Sequence, residues 1–186
     1  RFLYFKETPK WRAAWASNNN AYNNVVNLGE ALKKKLAEKN LPMPKEIVSK
    51  TATFLGGEMS DKVLFSCIEL SREIAQNPFG EWGLADSPEV SPKGVKDKAY
   101  LIFKKEKKPL HFTQVAELIN QVVFSGRKAH PQTVHNELIK DSRFVLVGRG
   151  TYALADWGYE PGTVRDVLVS ALNNAKGGLT KEEIVK

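Results

Sequence analysis

The chain has 186 residues, of which 42% are hydrophobic and 10% aromatic, so it can bury a core and is not a wholly disordered protein. Its formal net charge of +7 favours polyanionic partners such as nucleic acid or an acidic protein surface. The single cysteine, Cys67, excludes an internal disulfide and is expected to be a small buried hydrophobe, and no apolar run is long enough to span a bilayer. We therefore expect a cytoplasmic protein.

The first elements in chain order are an aromatic segment and a helical unit. Residues 1–18 are predicted to be a linker or an arm that packs on this unit. Helical periodicity and turn residues then divide the next stretch into a helix at 24–39, a helix at 45–54, a turn at Gly56 and Gly57, a helix at 60–68 and a hairpin that returns through Trp82 to Asp86.

The second unit begins with an amphipathic helix at Val95. Its apolar face is predicted to carry Val95, Ala99, Ile102 and Phe103, and its outer face Lys96, Lys98, Lys104, Lys105 and Lys107. Pro109 ends this helix, and residues 110–112 are expected to be extended. The unit thus opens with a helix and a short strand.

Two further helices and a hairpin complete the second unit. Thr113 is the expected N-cap of a helix that reaches about residue 124, and residues 125–130 are a turn. Pro131 then starts a third helix, whose inner face is predicted to hold Val134, Leu138 and Ile139. Residues 143–156 contain two β-rich runs around Gly148, Arg149 and Gly150, which indicates a hairpin.

An internal repeat connects the two units. Residues 80–86 and 150–156 share Gly, an aromatic residue, Leu, Ala and Asp at a separation of 70, and Val26, Val95 and Val164 are spaced by 69. The sequence therefore predicts an α+β, mostly helical fold of tandem winged-helix units. The expected domains are a divergent unit at 19–90, a second unit at 91–160 and the start of a truncated third unit at 161–186.

Residues 105–119, 130–138 and 143–154 resemble a HARE-HTH domain. This winged-helix family includes the amino-terminal domain of the bacterial RNA polymerase delta subunit, and the motifs at residues 80–84 and 93–100 are similar to bacterial sigma-factor-like proteins that carry such a domain. The close resemblance covers roughly residues 79–160. It implies a transcription-associated role in the bacterial cytoplasm, at the nucleoid, through double-stranded DNA, core RNA polymerase or both.

A winged helix places its third helix in the DNA major groove and its wing beside phosphates. The predicted nucleic-acid contacts on the third helix, the turn before it and the hairpin are Lys128, His130, Gln132, Thr133, His135, Asn136, Lys140, Arg143 and Arg149. Gln132 and Asn136 lie four residues apart, a spacing that suits pairing with adenine edges. The alternative interpretation of the whole set is a solvated polar face, which any helix needs.

Other kinds of site have no support in the sequence. No catalytic spacing, metal-ligand set, cofactor motif or small-molecule site is recognisable, so we expect a non-enzymatic protein. Repetition of the aromatic residues around Trp82 and Tyr152 favours a core role for them over base stacking. Three functions remain: a DNA-binding regulator, a module docking on RNA polymerase, which the acidic third-helix region of the first unit favours, and an accessory recognition domain of a restriction or modification enzyme.

Overall fold

The structure, a computed structural model, describes residues 2–55, 59–122, 124, 128–159, 169, 172 and 173. The chain divides into two compact units, Arg1–Pro92 and Lys93–Lys186. The turn predicted at 56–57, the first three residues of the turn predicted at 125–130 and nearly all of the predicted third unit at 161–186 lie outside the described residues. Within those that are described, the fold is α+β, with helices and small antiparallel sheets.

The first unit consists of an N-terminal hairpin, three helices and a second hairpin. Its elements are β1 Leu3–Phe5, β2 Ala14–Ala16, α1 Asn19–Lys39, α2 Lys45–Phe54, α3 Asp61–Ile68, β3 Ile74–Gln76 and β4 Trp82–Leu84. An apolar stripe on α1, formed by Leu28, Leu32 and Leu36, is buried with residues of α2, α3 and the second hairpin. Trp82 joins this core, where its ring lies 5.2 Å from that of Phe65.

The sequence placed the start of the first helix too late. α1 begins at Asn19 rather than at residue 24, because the Asn18 side chain accepts a hydrogen bond from the Ala21 amide at 2.8 Å and so caps the helix. Val26 therefore lies inside α1 and does not open it. Cys67 is half-buried rather than fully buried, and that burial raises the pKa of its thiol.

The second unit has the predicted order of helix, strand, two helices and hairpin. Its elements are α4 Val95–Glu106, β5 Leu110–His111, α5 Phe112–Gln121, α6 Pro131–Lys140, β6 Phe144–Gly148 and β7 Thr151–Leu154, followed by a 3-10 turn at Ala155–Trp157. β7 is the central strand, with β5 and β6 antiparallel on either side of it. This sheet holds the hairpin against the strand that precedes α5.

Two predicted faces in the second unit were wrong. Lys98 was placed on the outer face of α4, but it is buried, and its ammonium group lies 5.6 Å from the centre of the Phe124 ring. Ile139 was placed on the inner face of α6, but 62% of it is exposed. Val134 and Leu138 are the buried residues of α6. Ile139 follows Leu138 directly, so the helical geometry places it on a different face, away from the core.

The start of α5 also differs from the prediction. The helix begins at Phe112 with His111 as its N-cap, whereas the sequence favoured Thr113. The Thr113 amide donates a hydrogen bond to His111 Nδ1 at 3.4 Å, and the Gln114 side chain accepts one from the His111 amide at 3.1 Å. This reciprocal pair is a capping box, which satisfies donors at the helix start. α5 ends at Gln121, earlier than expected.

Gly150 is required where the hairpin meets this cap. Its φ is +69°, and a β-carbon there would lie 2.6 Å from His111 Nε2 and 3.1 Å from the Phe112 ring. The capping bonds fix the His111 ring, so the ring cannot move away without losing them. Gly158 has a similar φ of +77°, but a β-carbon there would meet no described atom within 4 Å. Substituting Gly158 therefore measures the cost of the backbone conformation alone.

We expect Gly150→Ala to destabilise the chain by about 2–4 kcal/mol and Gly158→Ala by about 1–2 kcal/mol, because only the first adds a steric clash to the strained backbone. Urea unfolding followed by far-UV circular dichroism measures both. Equal losses would show that the contact with His111 contributes nothing.

Candidate nucleic-acid interface

α6 presents one polar stripe and one buried stripe. Gln132, Asn136 and Lys140 follow each other at intervals of four residues and are exposed, whereas Val134 and Leu138 are buried. Thr133 is also exposed. The helix therefore carries amide, hydroxyl and ammonium groups on a face that no described element covers.

The two amides on this stripe are paired with each other. Gln132 Nε2 donates to Asn136 Oδ1 at 3.3 Å. This bond leaves the Gln132 carbonyl oxygen as an acceptor and the Asn136 amide nitrogen as a donor. An adjacent donor and acceptor are what the major-groove edge of adenine pairs with, since it offers N7 and the N6 amino group.

The start of α6 is held by two side chains. His130 is its N-cap and accepts a hydrogen bond from the Gln132 amide at 3.3 Å through Nδ1, and Pro131 occupies the first helical position. Asn120 of α5 accepts from the Ala129 amide at 2.7 Å and donates to the Ala129 carbonyl at 3.0 Å. The exposed Lys128 thus precedes a fixed helix N-terminus, where backbone amides favour anions.

Asn120 was not identified from the sequence. Its role depends on a residue nine positions away, and nothing in the local pattern distinguishes it from other polar residues on α5. It fixes the turn that leads into α6.

His135 is turned away from the polar stripe. Its ring lies 4.7 Å from the Phe112 ring and 5.9 Å, edge on, from the Tyr152 ring. It is half-buried. These contacts make His135 a packing residue between α6, α5 and β7, although it was predicted on the contact face.

Arg143 is held by two carboxylates. Its guanidinium donates to Asp141 at 2.7–3.1 Å and to Asp97 of α4 at 3.0 Å, and it lies 4.8 Å from the Tyr100 ring centre. The hydrogen bonds from Arg143 lower the pKa of Asp141. Asp141 and Asp97 in turn raise the pKa of Arg143. Arg143 therefore ties the start of β6 to α4, whereas the sequence had predicted it as a phosphate contact.

The hairpin supplies one exposed cation. Arg149 lies between Gly148 and Gly150 at the tip of the β6–β7 hairpin and is exposed. The Phe112 amide donates to the Gly150 carbonyl at 3.0 Å, so the tip is fixed to the start of α5. The structure thus places Arg149 on a rigid turn.

Other kinds of site have little support within the part of the chain that the structure describes. There, no group of three or more His, Cys, Asp and Glu side chains could hold a metal ion. No helix there is both long and apolar enough to cross a membrane. A shallow pocket of about 440 Å³ in the first unit is lined by Arg12, Glu69 and Trp82 among others, and it has no arrangement that we can relate to catalysis.

Comparison with known families identifies one part of the chain. Residues 94–157 match the model of the HARE-HTH family, an HTH domain whose description includes ASXL and restriction endonuclease. This confirms the predicted HARE-HTH resemblance for the second unit, while the likeness to the RNA polymerase delta subunit stays a prediction. Comparisons with curated proteins and with solved structures give no significant match.

The Arg143 network gives a pH prediction. A carboxyl whose pKa is lowered in the folded state contributes stability above its unfolded pKa and loses it as the pH falls through the folded value. We expect Arg143→Gln to cost about 1.5–3 kcal/mol at pH 7. The difference from the wild type should narrow as the pH falls below about 4 and through the lowered pKa of Asp141, because a protonated carboxyl no longer pairs with Arg143.

Urea unfolding at a series of pH values measures this difference, with Arg149→Gln as the exposed control. A deficit that stays the same from neutral to acidic pH would show that the pair with Asp141 is not its source.

Proposed function

Since residues 94–157 form a HARE-HTH domain, we propose that this chain is a transcription-associated protein that binds double-stranded DNA through α6 and the β6–β7 hairpin. The family match indicates DNA binding in general. The observation that carries the finer proposal is the exposed stripe of Gln132, Asn136 and Lys140 on α6, which has the groups and the spacing of a major-groove reading face.

The proposed contacts divide into two classes. Gln132, Thr133 and Asn136 face base edges, whereas Lys128, His130, Lys140 and Arg149 face phosphates. Lys140 is exposed. Its ammonium nitrogen lies 4.0 Å from a Glu137 carboxylate oxygen, at the limit of an ion pair. His135 and Arg143 make no proposed contact with DNA and instead hold α6 and the start of β6 against the rest of the unit.

We further propose that the two units are tandem winged helices. Both have three helices followed by a hairpin, and in both a residue before the second helix pairs with the returning strand, Met43 with Trp82 and Leu110 with Tyr152. Gly80 and Gly150 also share a positive φ, 70 residues apart. These common features support the proposal, although the first unit lies outside the family match.

The two units differ in the helix that would enter the groove. α3 of the first unit carries Lys62 as its single cation, and Asp61 at its start is held by the Ser49 hydroxyl. α6 has no acidic residue in its first turn and ends in Lys140. Binding of double-stranded DNA is therefore assigned to the second unit.

The biological setting is part of the proposal. Resemblance to sigma-factor-like proteins supports a regulator of transcription in the bacterial cytoplasm, at the nucleoid. The third function, an accessory recognition domain of a restriction or modification enzyme, would use the same DNA contact as the proposed regulator. It differs from the regulator because it needs catalytic sequence outside residues 1–186.

Charge reversal tests the DNA surface. We expect Lys128→Glu, Lys140→Glu and Arg149→Glu together to abolish measurable binding to random duplex DNA, because phosphate contacts supply most of the non-specific affinity. Fluorescence anisotropy at two salt concentrations measures this. A matched control, Lys34→Glu with Lys39→Glu and Lys50→Glu, makes the same charge change on exposed residues of the first unit. Equal effects of both triples would remove α6 and the hairpin as the site.

A second candidate function has an observation of its own. α2 and α3 of the first unit leave Ile47, Phe54 and Val63 exposed, and this apolar surface suits a protein partner better than a phosphate backbone. We propose core RNA polymerase as the partner, because the second unit of the same chain resembles the delta subunit.

Phe54→Ser with Val63→Ser should abolish capture of purified core polymerase by the immobilised chain after nuclease treatment, because the apolar contact area is lost. The charge-reversed variant of the second unit should still capture it. Absence of capture by the wild type would count against docking and leave the DNA proposal intact.

A further inference from the structure

The N-terminal hairpin presents an aromatic outer face. Its register places Tyr4 opposite Trp15, and their ring centres are 5.0 Å apart. Tyr4 is 52% exposed and Trp15 70%, which is unusual for two large aromatic residues in contact, and Phe2, just before β1, is 71% exposed. We call Tyr4 and Trp15 the aromatic platform.

The platform is not needed to attach the hairpin to its unit. Phe5, on the opposite face, stacks on Tyr22 of α1 at 3.9 Å, and Trp11 is buried against Gly29. The backbone adds two hydrogen bonds of 2.8 Å, from the Arg12 amide to the Leu70 carbonyl and from the Arg72 amide to the Lys10 carbonyl. The hairpin is thus fixed from behind, with the platform facing outwards.

The charges on the hairpin are predominantly positive. Lys6 and Arg12 are exposed, and Lys10 is exposed 3.7 Å from Glu30. The hairpin has one carboxylate, on Glu7, and Arg72 holds it at 2.6 Å. α1 begins four residues after Trp15 with no acidic residue in its first turn, so its N-terminus adds positive potential.

We propose that the aromatic platform binds single-stranded nucleic acid. Bases stack on Tyr4 and Trp15, while Lys6 and the start of α1 attract the phosphates. Exposed aromatic rings beside cations are what single-strand binding surfaces combine, because every base has a face that can stack. A protein partner would use the same rings, but the excess of cations around them favours a polyanion. This site is separate from α6 and goes beyond duplex binding.

Tryptophan fluorescence tests the contact directly. The whole chain is titrated with an oligothymidylate of about 15 nucleotides, a length that covers one such surface. Stacking on the indole should quench Trp15. Trp15→Phe should remove this quenching while keeping the affinity within about twofold, since a phenyl ring still stacks. Trp157→Phe, in the second unit, should leave the quenching unchanged.

Affinity is measured by anisotropy of the labelled oligonucleotide. Tyr4→Ala with Trp15→Ala should bind at least about tenfold more weakly. Both residues are exposed, so far-UV circular dichroism should show an unchanged fold. The variant with Lys128, Lys140 and Arg149 reversed should keep the Trp15 quenching, which separates failure of this proposal from failure of duplex binding.

Three results would overturn the proposal. The first is quenching that survives Trp15→Phe, which would place the oligonucleotide elsewhere. The second is equal affinity of the double alanine variant and the wild type. The third is no binding of oligothymidylate by the folded chain at low salt, which would assign the platform to a protein contact.

Discussion

The second unit depends on the contact between His111 and Gly150. His111 pairs with Thr151 in the sheet, caps α5 and lies against the tip of the hairpin, where only glycine fits. One residue therefore fixes the strand, the helix start and the hairpin at the same point. α6 is held to this frame through Asn120 and through the His135 ring on Phe112. The exposed groups of α6 and Arg149 are thus presented by a fixed support, which would lower the entropic cost of the proposed DNA binding.

The first unit has a similar framework and a different surface. The Met43 and Trp82 backbones exchange hydrogen bonds of 2.7 and 2.8 Å, as a strand pairs with the returning hairpin in the second unit. Its helices expose apolar residues where the second unit exposes amides and cations. The shared order supports a common architecture, and the surfaces support different partners. Under the proposed tandem arrangement, the framework and the contact surface vary independently, because different residues determine them.

Most of the helices and the hairpins β3–β4 and β6–β7 could be predicted from the sequence, because periodicity, proline and glycine act within a few residues. The bounds of α2 and the starts of α4 at Val95 and of α6 at Pro131 were correct. The cap of α5 was missed, because histidine is not among the usual N-caps and its choice follows from strand pairing. The N-terminal hairpin was missed because its strands are only three residues long.

The sequence alone determined the order of elements in the second unit, the excess positive charge and the stretch that matches the HARE-HTH model, since all three depend on residue type and spacing. Tertiary structure decided which polar groups are available. Arg143 and His135 have the right residue types for nucleic-acid contact. However, Arg143 pairs with Asp97 and His135 packs on Phe112, both of which are distant in the chain. Ile139 and the aromatic platform are apolar, yet they face outwards. The reason is physical: a side chain's partners are set by packing between elements far apart in sequence, and local patterns carry no record of that packing.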